Sequence, residues 1–169
     1  MREAVIIPTG DEIRDNIVLD TDSPEIMAQL LRLYPGCLIH RIPPVRDKEE
    51  DICAEVERWV QQSADLIVLI GGSGGGHRFS GTLGKDYTHT AMDRLLEAPV
   101  SREIYGKNGH MWCKLICGRR GQSLIINLPG PFVEAQAAFG AFCTAYTNNQ
   151  ENLKAINEAM VAAVMAQYH

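Results

Sequence analysis

No stretch of this sequence approaches the ~20 consecutive apolar residues of a membrane-spanning helix. Its opening, Met1-Arg2-Glu3-Ala4, runs into a short strand-like segment without the apolar core of a secretory signal. Basic residues are scarce: 16 Lys and Arg stand against 21 Asp and Glu, a net charge of −5. A nucleic-acid-binding face needs clustered positive charge to neutralise phosphates. The nearest grouping, Lys114 with Arg119 and Arg120, reads instead as the ends of a hairpin. Cysteines are few and odd in number: Cys37, Cys53, Cys113, Cys117 and Cys143, with no CxxC pair and no histidine at zinc spacing. They read as buried thiols of a reducing compartment. These absences set the expectation of a cytoplasmic protein whose partners are small molecules, not nucleic acid or membrane. The GK[ST] ending of a Walker loop and the GxGxxG dinucleotide fingerprint are also missing.

What is present is the composition of an ordinary globular chain: 169 residues, 46% hydrophobic and 22% charged. That length suits one domain over residues 1–169. Residues 4–8 form a short apolar strand ending at Thr9-Gly10-Asp11-Glu12. Ser23-Pro24-Glu25 supplies an N-cap, a first-turn proline and an acid for a helix that Pro35-Gly36 ends. A second strand covers residues 37–42 and a helix residues 48–62. Residues 65–70, Asp-Leu-Ile-Val-Leu-Ile, are apolar on both faces, as a central parallel strand must be. A helix over residues 86–97 follows a glycine-rich loop. Strands at 112–118 and 123–128 then form a hairpin, and two alanine-rich helices occupy 131–146 and 151–168. The alternation predicts a three-layer α/β/α domain with a mostly parallel sheet, a C-terminal hairpin and terminal helices.

Open α/β sheets bind ligands beyond the carboxyl ends of their strands. The segments that follow the apolar strands are Thr9, Gly10, Asp11 and Glu12; Val45, Arg46 and Asp47; Gly71, Gly72, Ser73, Gly74, Gly75 and Gly76; and Leu128, Pro129 and Gly130. Glycines let backbone N–H groups curl round an anion without a Cβ in the way. Asp47 and Asp86, with Asp20 and Asp22 in an earlier loop, are hard oxygen donors suited to a divalent cation against phosphate. Asp47 and Asp86 serve equally well as helix N-caps. His77 and His89 flank the glycine loop and read as surface residues.

The segments Pro8-Thr9-Gly10-Asp11-Glu12, Asp20-Thr21-Asp22-Ser23-Pro24, Val45-Arg46-Asp47, residues 64–74, Asp86-Tyr87-Thr88 and Ile126-Asn127-Leu128-Pro129-Gly130 occur in one order. In that order they resemble the molybdopterin-binding domain family of molybdenum-cofactor biosynthesis, which includes adenylyltransferases, molybdenum-insertion proteins and competence-damage-type proteins. The resemblance runs over residues 4–142 and leaves residues 150–169 as an extra C-terminal helix. It implies that Gly71, Gly72, Ser73 and Gly74 embrace the pterin or its phosphate, and that Leu128, Pro129 and Gly130 line the pterin pocket. It implies Asp47 and Asp86 as a catalytic acidic pair serving Mg²⁺ and ATP. It further implies a homo-oligomer, trimer or hexamer. The chain departs from the family in Pro131-Phe132 after the LPG, in residues 75–85 between the glycine loop and Asp86, and in Asp22, where asparagine is common. Three activities follow as expectations: AMP transfer from Mg-ATP to molybdopterin, a non-catalytic carrier of the cofactor, and a nucleotide hydrolase.

Overall fold

A computed structural model describes residues 1–74, 86–148 and 152–168. Six strands form one sheet: β1 Glu3–Pro8, β2 Leu38–Arg41, β3 Leu66–Ile70, β4 Glu97–Tyr105, β5 Met111–Arg120 and β6 Ser123–Leu128. The order is β2-β1-β3-β6-β5-β4. The first four run parallel, and β5 lies antiparallel to both its neighbours. The helices are α1 Asp11–Arg14, α2 Asp22–Leu33, α3 Glu49–Gln61, α4 Thr88–Leu95, α5 Phe132–Asn148 and α6 Leu153–Met165, and a 3-10 turn, Ala166–Tyr168, closes the chain.

The two-residue period of a strand sends alternate side chains to opposite layers. Ala4 and Ile6 of β1 and Leu66, Val68 and Ile70 of β3 join Ile26, Leu30, Phe139, Phe142 and Met160 in one core, under α2, α5 and α6. Val5, Ile7, Ile67 and Leu69 join Ile52, Val56, Trp59 and Met92 in the other, under α3 and α4. Each fully buried side chain of this size contributes roughly 1.5–3 kcal/mol of transfer free energy. The architecture is the expected mixed sheet with helices on both sides. No helix among the described residues is long and apolar enough to cross a membrane.

The structure corrects several sequence expectations. The helix expected to run to residue 97 stops at Leu95, and β4 follows at once. Most of that strand is exposed, with Ile104 its one buried side chain. Ala98 takes φ 45° and the register slips between Glu97 and Val100. An edge strand so polar carries no apolar run to announce it. The four-residue α1 was not anticipated. α2 begins at Asp22 with no side-chain cap bond, so Ser23 is not its cap; the Ser23 amide donates to Asp20 Oδ1 at 3.0 Å. Asp47 and Asp86 are not caps either: Lys48 and Tyr87 hold the N-cap positions of α3 and α4, without side-chain bonds.

Candidate functional site

The carboxyl ends of β1, β3 and β6 meet where the chain can least accommodate side chains. The Thr9 amide donates to Ile70 O at 2.8 Å, and the Gly71 amide donates to Leu128 O at 3.1 Å, which stitches the three strand ends together. Thr9 Oγ1 lies 3.1 Å from Ile70 O and 2.9 Å from Thr88 Oγ1, all of it buried. Gly71 and Gly72 take φ 92° and 59°, conformations that favour glycine. A Cβ on Gly71 would fall 2.7 Å from Thr9 O, and one on Gly72 would collide with Thr88 Oγ1. Gly72 O and Ser73 O in turn accept the amides of Thr88 and Lys114, at 3.0 and 2.8 Å. Among the described residues, the amides of Gly72, Ser73 and Gly74 donate to no backbone carbonyl.

These segments floor a cavity of about 1070 Å³. Thr9, Gly71, Gly72, Ser73, Gly74, Asp86, Pro129 and Gly130 all line it. Gly10, Asp11, Asp47 and Leu128 stand behind it. Gly10 N donates to Val45 O at 3.0 Å, Leu128 is fully buried, and Asp47 Oδ2 accepts the Asp11 amide at 3.3 Å. Asp86 reaches the loop directly, since a Cβ on Gly74 would lie 2.8 Å from Asp86 Oδ2. Among the described residues, no three His, Cys, Asp or Glu side chains are grouped to hold a metal. Gly75, Gly76 and His77 fall outside the described residues. His89, expected at the surface, is half-buried, with an enclosed Nδ1 that has no hydrogen-bond partner among the described residues.

Glu12, Asp20, Asp22, Asp86 and Glu134 line the cavity, and none of its described lining residues is Lys, Arg or His. Burial works against the charge of Asp20. The Ser23 amide, 3.0 Å away, and the Arg41 guanidinium, at 2.7 and 3.1 Å, outweigh it and hold the carboxyl below its ordinary range. Asp22 has no such help: burial, with the charge of Asp20, pushes it up to about 6. Sequence reasoning did not assign Ile13, Ile17, Val18, Trp112, Cys113, Glu134 or Tyr168 to the site, although they line it too. No local pattern marks them, because they come from α1 and the loop after it, β5, α5 and the last turn. Burial pushes the Cys113 thiol up to about 12, as it does Cys117 and Cys143, and all five cysteines are free.

A glycine-rich, acid-lined cavity on the carboxyl edge of a mixed α/β sheet defines a small-molecule-binding α/β protein. The family model described as the probable molybdopterin binding domain matches residues 5–149, and the chain belongs to that family. Curated relatives include CinA-like proteins of Anaeromyxobacter sp. (strain K) and Anaeromyxobacter dehalogenans, 32% identical over 97 residues. That stretch is 57% of this chain but 21% of each relative, so the match spans about a fifth of their length. Among solved structures, MogA aligns at TM-score 0.64 and 19% identity, covering 92% of this chain and 99% of MogA. The molybdopterin biosynthesis enzyme MoaB of Thermus thermophilus aligns at 0.58 and 20%, over 98% and 91%. CinA of Thermoplasma acidophilum aligns at 0.58 and 19%, over 88% and 97%. At these identities the likeness is one of fold.

Proposed function

We propose that this chain binds molybdopterin, with the terminal phosphate on the loop Gly72-Ser73-Gly74 and the pterin toward Pro129 and Gly130. The observation that carries this reading is the set of three successive amides without a backbone acceptor among the described residues, on the floor of a cavity large enough for the ligand. Convergent N–H groups bind anions through partial charges that need no side chain. The experiment is titration with a phosphorylated pterin, and replacing Gly74 with valine should weaken binding by at least tenfold, about 1.4 kcal/mol.

A second activity of the same site is AMP transfer from Mg-ATP to molybdopterin, and Asp86 favours it. Two phosphorylated ligands in a cavity lined by five carboxylates and no described cation would repel their surroundings unless counter-charge comes with them. The donors present are carboxylate oxygens, the type magnesium takes, and Mg²⁺ when bound would neutralise phosphate charge. Asp86 offers an oxygen at the loop itself. Asp47, buried behind the site, holds the Asp11 amide and so positions the Gly10-Asp11 turn. Such transfer needs alignment and charge neutralisation more than a protein nucleophile, which agrees with a Cys113 thiol kept protonated by burial. Turnover of ATP with molybdopterin separates this activity from a carrier that only binds, and from a nucleotide hydrolase. We also propose that the chain works as a single domain in the cytoplasm and as a homo-oligomer, trimer or hexamer. A monomer in sedimentation at micromolar concentration contradicts the last point.

A further inference from the structure

Asp22 has no task in phosphate binding or in AMP transfer. This first residue of α2 lines the cavity, is 8% exposed, and has its Oδ1 sealed from water with no hydrogen-bond partner among the described residues. A buried carboxylate left so carries a heavy desolvation cost unless something donates to it. Arg41, the nearby cation, is engaged by Asp20. No described cation lines the cavity itself.

The cavity also has an aromatic wall. The Tyr168 ring packs on Trp112 with centroids 4.2 Å apart and planes tilted by 39°. The Tyr168 hydroxyl donates to Glu134. All three residues line the cavity. Gln136 Nε2, two residues after Glu134, donates to Glu25 Oε1 at 3.5 Å, one turn after Asp22. That contact ties the start of α5 to the start of α2, and Asp22, Glu134, Trp112 and Tyr168 line one cavity.

We propose that Asp22 and the Trp112–Tyr168 pair form the subsite that selects the heterocycle of the ligand: the carboxylate, turned so that both oxygens face the cavity, accepts two adjacent N–H groups of an aminopyrimidinone edge, and the aromatic pair packs against the ring. Two parallel N–H···O bonds to one carboxylate give both strength and geometric selectivity. A site built to accept N–H groups rejects a ring that offers an oxygen in their place. The inference rests on the pterin reading and adds the residue that chooses among pterin-like rings.

The test titrates the full chain, Asp22→Asn and Tyr168→Ala with two ligands. One is 6-hydroxymethylpterin phosphate. The other is its lumazine counterpart, which has a 2-oxo group instead of the 2-amino group. The unaltered chain should prefer the pterin by tenfold or more. Asparagine both donates and accepts, so Asp22→Asn should bring the ratio to about one or below. Tyr168→Ala should weaken both ligands alike, by about fivefold, and leave the ratio unchanged; unchanged affinities would remove the aromatic pair from the subsite. Guanosine monophosphate presents the same edge and is titrated in parallel. Tighter pterin binding assigns the edge to a pterin. Tighter nucleotide binding that depends on Asp22 keeps the subsite and overturns the pterin reading. Tight but equal binding of both pteridines, or a ratio indifferent to Asp22→Asn, overturns the subsite and leaves the phosphate loop standing. Binding of neither overturns both.

Discussion

The hydroxyl oxygens of Thr9 and Thr88, 79 positions apart in the chain, lie 2.9 Å from each other in the buried floor of the site. Thr9 follows β1 and Thr88 begins α4, so this one bond ties the first strand loop to the helix that follows the glycine loop. Gly72 sits between them, and its φ of 59° and lack of a Cβ let the contact close.

Replacing Gly72 with alanine should therefore destabilise the fold by about 2 kcal/mol, the usual cost of a strained backbone conformation, with more from the collision with Thr88. Thr88→Val leaves Thr9 without one of its hydroxyl partners and should cost about 1–2 kcal/mol. Urea denaturation of both variants, read as a shift in midpoint at constant slope, checks the pair. Midpoints unchanged in both would mean that the contact does not hold the loops together.

Asn127 is fully buried in β6, where its Oδ1 accepts the Ile116 amide at 2.6 Å and its Nδ2 donates to Lys114 O at 2.8 Å. It substitutes for a rung of the ladder between β5 and β6. Asn127→Leu keeps the volume but strands two backbone groups, at about 1–3 kcal/mol each. A loss of less than 1 kcal/mol in chemical denaturation would show that the side chain is dispensable.

Asp22 gives a pH signature in stability. Its folded pKa of about 6 lies above the value of an unfolded aspartate, so the fold favours the protonated form. The stability linked to this group is fully present below the unfolded pKa, near 4, and is lost as the pH rises through 6. Asp22→Asn removes the charge, so the variant should be more stable than the parent at pH 8, by up to ~3 kcal/mol. The difference should vanish by pH 4. Thermal melts of both proteins across that window decide it; a difference that is flat with pH rejects the buried ionisation. A binding residue that destabilises its own fold would be kept for what it recognises.

The acidic pair is open to a sharper test. Asp86→Asn and Asp47→Asn should each reduce AMP transfer roughly a thousandfold, on the scale of several kcal/mol in the transition state. Pterin affinity should stay within about twofold, because the loop amides are left alone. The routes differ: Asp86 acts in the cavity, whereas Asp47 acts through the Asp11 amide. Normal transfer in both variants contradicts the assignment. Absence of transfer by the unaltered chain, with tight pterin binding, establishes a carrier.

Much of this architecture was legible in the sequence because it is locally encoded. Residues 65–70 announce β3 by apolarity on both faces, and every one of Leu66–Ile70 is buried. The glycine loop and Leu128-Pro129-Gly130 were legible for the same reason: strand ends and turn residues stand side by side in the chain. β4 was not, since a mostly exposed edge strand with Pro99 in it offers no periodic apolar signal. The aromatic wall was illegible for another reason. Trp112, Glu134 and Tyr168 converge only after α5 and α6 have packed, and each alone looks like an ordinary surface residue. Asp47 and Asp86 were both flagged, but separation in sequence could not tell which of them faces the cavity.

The central claim is that the Gly72-Ser73-Gly74 loop holds the phosphate of a pterin. Its most direct measurement is calorimetric titration of 6-hydroxymethylpterin phosphate and of the same pterin without phosphate into the chain and into Gly74→Val, with circular dichroism to confirm the fold. A valine there would press on Asp86 Oδ2 and Trp112 O, at 2.8 and 3.3 Å from the added Cβ. The account predicts that the phosphate strengthens binding to the unaltered chain at least tenfold, and that Gly74→Val abolishes this gain. Equal affinity of the two ligands for the unaltered chain, or a full phosphate gain in a folded Gly74→Val, would contradict it.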